Sequence, residues 1–578
     1  MADERPTRTV TAHGMTWLTV GEFADAIPLL DIEGCRRPEA LPLQQLVKDN
    51  PVRTVVRVAD PLNPDGPGLY VKRYKFRGLR ERLKHLMVPA KPVVEWRTGR
   101  ALEKADIPTC EVLAIAVRRR RLLPAEGFLV SREIPDVTSL KAFLRKRLSA
   151  MEQTQPGYRR EAIEELAALT AALADAAFYH CDYHTGNLLV NPEAPAGKRI
   201  YVVDLHRVGR RPARPQLLHT LGMLASSTRV PGISHKDRVE FLRAFLTRWN
   251  GGPGAGEEEC KRWASDVKEA EADLRRRGMR SRTRRCMVQS SLFTIEGAGN
   301  FVIHRRRDFP VQAALDAVRL HGGAISGHKA GDTAGEANVL RNGVRTEVTV
   351  CRCDSVPPFT SGRPARPEQV RPGSICVKSF KRGALWEKLK DVFRPHSRAR
   401  AAWIASHGCS VRDIPAARPL ALLEARWKWS GRPDYLIMEA LDNDGTLGEL
   451  ALRGPSGSQR RALAKAVAQL LNLMARVEVY HPDTKPNNLL IKEAAPPDDG
   501  FRLWLVDLDR LRFEAPMTRR RWVKCLARLN SGLPAHITLL DRMRCLRECG
   551  RGRWTARERR QLAEEVYALS LRRRPAWL

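Results

Sequence analysis

Tyr179-His180-Cys181-Asp182-Tyr183-His184-Thr185-Gly186-Asn187, followed shortly by Val202-Val203-Asp204-Leu205, decides the fold, because the chain writes it twice. The second copy is Tyr480-His481-Pro482-Asp483-Thr484-Lys485-Pro486-Asn487-Asn488, followed by Val506-Asp507-Leu508. Both read Tyr-His-x-Asp, then an Asn five residues after the Asp, then a lone Asp closing an apolar run. An isolated Asp-x4-Asn means little. An ordered set that recurs does not arise readily by chance.

The repeat extends outward from these loops. Arg159 to Phe178 and Arg460 to Val479 each carry apolar residues at helical spacing and predict a helix entering the loop. Further upstream, Leu69-Tyr70-Val71-Lys72-Arg73-Tyr74 matches Ile375-Cys376-Val377-Lys378-Ser379-Phe380, a strand with lysine at the same place. Asn50-Pro51-Val52-Arg53-Thr54-Val55 matches Asn342-Gly343-Val344-Arg345-Thr346-Glu347, aligned asparagine to asparagine. Glu95-Trp96 precedes Ile107-Pro108 as Ala402-Trp403 precedes Ile414-Pro415. The repeated unit is therefore a whole domain and not a solenoid element. The expected organisation is an N-terminal extension (1–40), a first domain (41–250), a basic helical and hairpin arm (251–320), a flexible Gly/Ala-rich linker (321–338) and a second domain (339–578).

This kit suits phosphoryl transfer, which asks a protein for positioning and charge neutralisation more than for covalent chemistry. A strand lysine, Lys72 or Lys378, can hold phosphates, and Glu95 can orient Lys72 by ion pairing. Asp182 and Asp483 can align an acceptor hydroxyl or take its proton. Asn187, Asp204, Asn488 and Asp507 offer oxygen ligands for Mg²⁺. His180 and His481 read as loop-holding residues. Lys485 can neutralise a transferring phosphate. Neither a GxGxxG loop nor a Walker-type loop is present. The stretch Asp60 to Gly68 turns without carrying the signature.

Composition bounds the rest. The 578 residues are 43% hydrophobic and carry a formal net charge of +35. Much of the excess is arginine in short runs, such as 118–121, 275–277 and 519–521. Such a surface attracts polyanions, including anionic lipid and phosphorylated sugars. Aromatics make up only 6% and do not interleave with the basic runs, which argues against a single-stranded nucleic-acid platform. The twelve cysteines show no metal-ligand spacing. The N-terminus lacks a secretory core and no apolar run approaches about 18 residues, so a reducing, cytoplasmic setting is expected.

The chain resembles the bacterial lipopolysaccharide core (Kdo and heptose) kinases. The residues that carry the likeness are Leu69 to Tyr74, Arg77 to Leu83, Glu95-Trp96, Asp106-Ile107-Pro108, Val203-Asp204-Leu205-His206-Arg207 and Asp237 to Phe245. Fainter echoes run through Val506 to Arg510 and Asp541 to Arg547. The resemblance implies an α+β fold of two tandem bilobal protein-kinase-like domains, each with a small β-rich N-lobe and a larger helical C-lobe. It implies ATP and Mg²⁺ as cofactors. It also implies an anionic glycolipid sugar as acceptor, met at the inner face of the cytoplasmic membrane through peripheral contact.

Carried over by position, the first site is Lys72, Glu95, Asp182, Asn187 and Asp204. The adenine hinge falls near Val130 to Ile134, with Glu133 in it. Its counterpart is Ile437 to Leu441, with Glu439. The second domain departs from the pattern, since Ala402 stands where Glu95 does, leaving Lys378 without its acid unless Glu387 substitutes. Lys378, Asp483, Lys485, Asn488 and Asp507 remain. The second domain is thus either a nucleotide-binding kinase or a regulatory pseudokinase. The open alternatives for the whole chain are a Ser/Thr protein or small-molecule kinase, and a scaffold that binds a polyanion. Oligomeric state is not readable.

Overall fold

The computed structural model describes residues 5–37, 45–50, 52–76, 78–252, 254, 256–327, 335–353, 370–381, 396–427, 431–494 and 500–577. It divides into two compact units, Met1–Arg275 and Arg276–Leu578. Each is a bilobal protein-kinase-like domain of mixed α and β structure.

In the first unit, strands β1 (Thr7–Ala12) and β2 (Met15–Val20) form a hairpin. It turns on His13 and Gly14, both at positive φ (54° and 67°), the geometry a two-residue hairpin turn demands. Next come β3 (Leu46–Asp49), β4 (Arg53–Val58), β5 (Leu69–Lys75), helix α1 (Lys91–Lys104), β6 (Val112–Arg120) and β7 (Leu123–Arg132). The seven strands make one antiparallel sheet in the order β1-β2-β6-β7-β5-β4-β3. Its core packs Trp17, Val71, Trp96, Phe128 and Leu129. The second lobe holds α2 (Tyr158–Asp175), the short strands β8 (Leu188–Val190) and β9 (Ile200–Val202), α3 (Arg214–Ser227) and α4 (His235–Arg248). Helix α5 (Glu257–Arg284) follows, and the division between the units falls within it.

The second unit repeats this plan. Strands β10 (Phe293–Ala298) and β11 (Phe301–Arg306) form a hairpin, followed by α6 (Val311–Ser326). Then come β12 (Gly335–Asn342), β13 (Thr346–Cys353), β14 (Val370–Phe380), α7 (Arg398–Val411), β15 (Pro419–Ala425) and β16 (Asp434–Leu441). The sheet order is β10-β11-β15-β16-β14-β13-β12, matching the first sheet place for place. The C-lobe contains α8 (Gly457–Arg476), β17 (Leu489–Glu493), β18 (Phe501–Leu505), α9 (Arg519–Ser531), α10 (Leu539–Cys549) and α11 (Ala556–Leu571).

Four sequence readings change here. The hairpin placed in a separate arm is the edge of the second sheet, because β11 pairs with β15. Within the segment read as an N-terminal extension, Thr7–Val20 supplies the equivalent edge of the first sheet, where β2 pairs with β6. The N-lobe connection next to the site joins β3 to β4, just before Arg53, whose side chain reaches Asp204. It is not the Asp60 to Gly68 segment. Gly343 and Thr346 bond as Asn50 and Arg53 do, N–H to C=O at 3.2 and 3.0 Å. Val55 lies opposite Lys72 and Val348 opposite Lys378. The two copies therefore align one residue away from the asparagine-to-asparagine match, and Arg53 corresponds to Thr346, not Arg345.

Two acids in the family-like tails have a structural task. Asp237 and Asp541 each close a capping box, with Ser234 and Thr538, at the start of α4 and α10. Each also meets an arginine at the start of the long helix, Arg159 at 3.1 Å and Arg460 at 2.9 Å. The same clamp thus ties two helices together in each C-lobe.

Candidate active sites

In the first unit, alternation along β5 puts Lys72 and Tyr74 on one sheet face. Their cross-strand partners Val55 and Arg53 share that face. Glu95, four residues into α1, is fully sealed from solvent at 0% exposure. Lys72 Nζ and Tyr74 Oη both donate to its carboxylate. Burial opposes the charge on Lys72, but Glu95, helped by Cys110 and Asp204, offsets this, and the lysine pKa lies above its ordinary value. A buried carboxylate with two donors is fixed in place, and through it so is Lys72.

Below the sheet, His180 holds the loop. Its Nδ1 accepts from Asp182 N–H at 3.0 Å and its Nε2 donates to Val203 C=O at 3.1 Å. That pattern defines the neutral tautomer, and burial pushes the His180 pKa down. Asn187 Nδ2 donates to Asp182 C=O at 2.9 Å, which leaves the Asn187 side-chain oxygen to face elsewhere. Asp182 keeps a side chain 36% exposed, with His184 Nε2 at 3.6 Å.

Asp204 sits in the left-handed region (φ 66°, ψ 48°), a conformation that costs a non-glycine residue energy and clusters at functional sites. Arg53 Nη1 donates to its Oδ1 at 2.7 Å, and His206 Nδ1 is 3.0 Å from the same atom. Burial alone raises the Asp204 pKa, but His206 and Arg53 together hold it well below the usual carboxylate range.

The donor set fits an oxygen-loving divalent cation: an amide oxygen on Asn187 and an ionised carboxylate on Asp204. Glu95, Asp204 and His206 also bring ligand atoms within 4.8 Å of one another. Lys72 and Tyr74 already claim the Glu95 carboxylate.

In the second unit, His481 accepts from Asp483 N–H at 3.1 Å as His180 does from Asp182, but its Nε2 donates to the carbonyl of Asp507 itself, at 3.3 Å, one residue on from the first unit's acceptor. Asp507 repeats the left-handed conformation (φ 61°, ψ 51°). Asn488 Nδ2 donates to Asp483 C=O at 2.8 Å. The cations are placed differently. Ala402, 3% exposed, fills the Glu95 position on α7. Lys378 Nζ instead donates to Asp507 Oδ1 at 2.7 Å. Arg528, on α9, donates to Asp483 Oδ1, and Lys485 Nζ lies 3.7 Å from Oδ2. Thr220 and Cys525 both bond the preceding histidine carbonyl, so three residues on along each helix Met223 stands where Arg528 does. Glu387 lies outside the described residues.

The two hinge acids are not equivalents. Glu133 follows β7 and accepts from Arg57 Nε at 2.8 Å and Nη2 at 2.7 Å, Gly68 N–H at 3.1 Å and Tyr70 Oη at 3.2 Å. A Cβ on Gly68 would lie 2.8 Å from this carboxylate, so a larger residue there would push the Glu133 side chain aside. Glu439 sits inside β16 opposite Ile375, as Arg132 sits opposite Leu69. Its side chain meets Arg418 at 3.2 Å, while Arg132 meets Glu111 at 2.8 Å. The pair is the same with the charges exchanged. Both glutamates are thus occupied in holding strands together.

The sequence reading missed Arg53, Tyr74 and Arg528. Tyr74 was legible as the residue two beyond Lys72 on one strand. Arg53 was hidden by the one-residue alignment slip, and Arg528 had no signal outside the folded helix.

The family model for the lipopolysaccharide kinase (Kdo/WaaP) family matches residues 47–245 and again 363–566. The chain belongs to this family, twice over. Membership makes it a phosphotransferase and supports a glycolipid sugar as the class of acceptor. Among solved structures, the chain is similar to "WaaP in complex with acyl carrier protein" at 20% identity, over 41% of this chain and 92% of that one, with TM-score 0.30. It is also similar to a Toxoplasma gondii rhoptry antigen kinase domain at 11% identity, over 39% and 81%, with TM-score 0.26. Neither likeness is high enough to carry an argument. No curated protein matches the chain. Among the described residues, no helix is long and apolar enough to cross a membrane.

Proposed function

We propose that this Kdo/WaaP family member transfers the γ-phosphate of ATP to a hydroxyl of an anionic glycolipid sugar of the lipopolysaccharide core type. In this reading the first unit performs the transfer and the second regulates it. The observation that carries the assignment is the Lys72–Glu95 pair, with Glu95 sealed beneath the sheet, beside Asp182, Asn187 and Asp204.

Lys72 is held where it can bind the α- and β-phosphates. Asp182 orients the acceptor hydroxyl and takes its proton as the oxygen attacks phosphorus and the bond to the ADP oxygen breaks. Asn187 and Asp204 are the residues that would hold Mg²⁺, which when bound would supply charge neutralisation to the nucleotide phosphates. In the second unit, Arg528 and Lys485 neutralise the carboxylate that corresponds to Asp182. That favours regulation over transfer there. The basic surface suits a polyanionic, membrane-held acceptor through peripheral contact.

The test is radiolabelled ATP and Mg²⁺ offered with a total lipid extract, a protein extract and purified core oligosaccharide as competing acceptors. Label in lipid or oligosaccharide supports the assignment. Label in protein alone replaces it with the protein-kinase reading.

A further inference from the structure

We propose that Arg53 is a phosphate ligand of the first unit, binding the β- and γ-phosphates of the nucleotide with a side chain where other kinases use glycine-rich backbone. The inference rests on the reading of the first unit as an ATP-dependent kinase.

Four observations carry it. First, the connection between β3 and β4 contains no glycine: its residues are Asn50, Pro51 and Val52. Second, the amides that a phosphate loop would aim at its ligand are already taken. Asn50 Oδ1 accepts from Val52 N–H at 2.9 Å and from Arg53 N–H at 2.8 Å. A satisfied amide is a poor anion ligand, because the phosphate must first displace the side chain. The N-lobe therefore needs another source of positive charge at this rim.

Third, Arg53 is in position to supply it. It opens β4, shares a sheet face with Lys72, and reaches Asp204, the candidate metal-binding acid. Its side chain is 19% exposed, so it is not sealed from solvent as Glu95 is. A ligand that bridges Asp204 and Lys72 passes within a few ångströms of it. Guanidinium is always charged and matches phosphate oxygens bidentately. Fourth, the feature is particular to the first unit. Thr346 holds the corresponding position in the second sheet, and there Lys378 itself bonds the equivalent acid.

The test is steady-state kinetics of the full chain bearing Arg53→Gln or Arg53→Lys, with ADP and adenosine as competitive inhibitors. Loss of the guanidinium removes charge-assisted bonds to phosphate, so Arg53→Gln should raise the KM for ATP and the Ki of ADP about tenfold or more. The Ki of adenosine should stay at the wild-type value, and Arg53→Lys should recover part of the loss. An unchanged KM for ATP in Arg53→Gln overturns the proposal. So does an adenosine Ki that rises by the same factor as that of ADP, since that marks general damage to the site. A wild-type chain that turns over no ATP overturns the kinase reading beneath it, an outcome distinct from these two.

Discussion

Lys378 donates to Asp507 at 2.7 Å, a contact that Lys72 does not make with Asp204. Both lysines hold the same register position in matching sheets. The difference follows from the helix opposite. Glu95 captures Lys72, whereas Ala402 has no carboxylate and Lys378 reaches on to the next acid. In the first unit Arg53 takes up the Asp204 partnership that Lys72 leaves open. One residue on a helix thus redistributes cations through the site.

This asymmetry sets the cost of losing each lysine. Lys72→Met leaves Glu95 buried with only Tyr74 as donor, and breaking a buried pair costs about 3–5 kcal/mol. Lys378→Met leaves Asp507, which is partly exposed, and should cost far less. Urea denaturation of the full chain should show a transition shifted to lower urea in the first variant, while the second stays near wild type. Lys72→Met with Glu95→Leu should regain most of the stability, since an apolar pair is an adequate replacement for a buried ion pair, yet transfer no phosphate. Equal destabilisation by the two single lysine variants would contradict this account.

The catalytic aspartates should separate in activity. Asp182 is partly exposed beside His184, while Asp483 is engaged by Arg528. Asp182→Asn should lower the labelled-phosphate transfer rate by about 10²–10⁴-fold, the usual worth of a positioned general base. Asp483→Asn should leave that rate within a small factor of wild type. A transfer rate that falls only with Asp483→Asn would move the chemistry to the second unit.

What the sequence made legible was whatever lies close along the chain. The His-x-Asp-x4-Asn loops, the strand lysines and Glu95 each sit in a local pattern, and the structure puts them around common sites. Pairings across strands were harder. A one-residue slip moves every side chain of a strand to the other sheet face. The match of Asn50 to Asn342 contained such a slip, and it paired Arg53 with Arg345 where the sheet register pairs it with Thr346. That two hairpins form the matching edges of the two sheets was missed for another reason. The sequences at Thr7–Val20 and Phe293–Arg306 differ almost everywhere, and only their pairing to β6 and β15 shows that they are one element. Arg528 meets Asp483 across 45 residues of chain, a contact no local pattern announces.

His407 gives the second unit an acid sensitivity. Its ring lies edge-on to Phe293 at 4.8 Å, and Nε2 donates to Arg282 C=O at 3.1 Å. Burial, reinforced by Arg306, Arg285 and Arg412, pushes its pKa down to about 4, although the Arg282 carbonyl pulls the other way. The unfolded chain binds this proton near pH 6.5, and the folded chain does so only near 4. Stability is therefore complete above about pH 6.5 and falls as the pH drops toward 4, by roughly 1.4 kcal/mol per pH unit. Urea melts at pH 7 and pH 5 should differ for wild type, and the difference should shrink in His407→Gln. A difference of the same size in the variant would place the acid response elsewhere.

The exchanged pair at the hinge strands makes the sharpest test of what Glu439 does. Glu439 is 2% exposed, and burial raises its pKa despite Arg418 beside it. Glu439→Arg places two guanidiniums together in that setting. The variant should be destabilised by about 3–5 kcal/mol, the cost of an uncompensated buried charge. Adding Arg418→Glu rebuilds the Glu111–Arg132 arrangement of the first unit in the second and should restore most of the loss. Both sets of melts can be read against nucleotide binding. If Glu439 only joins strands, the double variant should bind nucleotide as wild type does. A double variant that folds normally but loses nucleotide binding would return Glu439 to the ligand site and undo the strand-joining assignment.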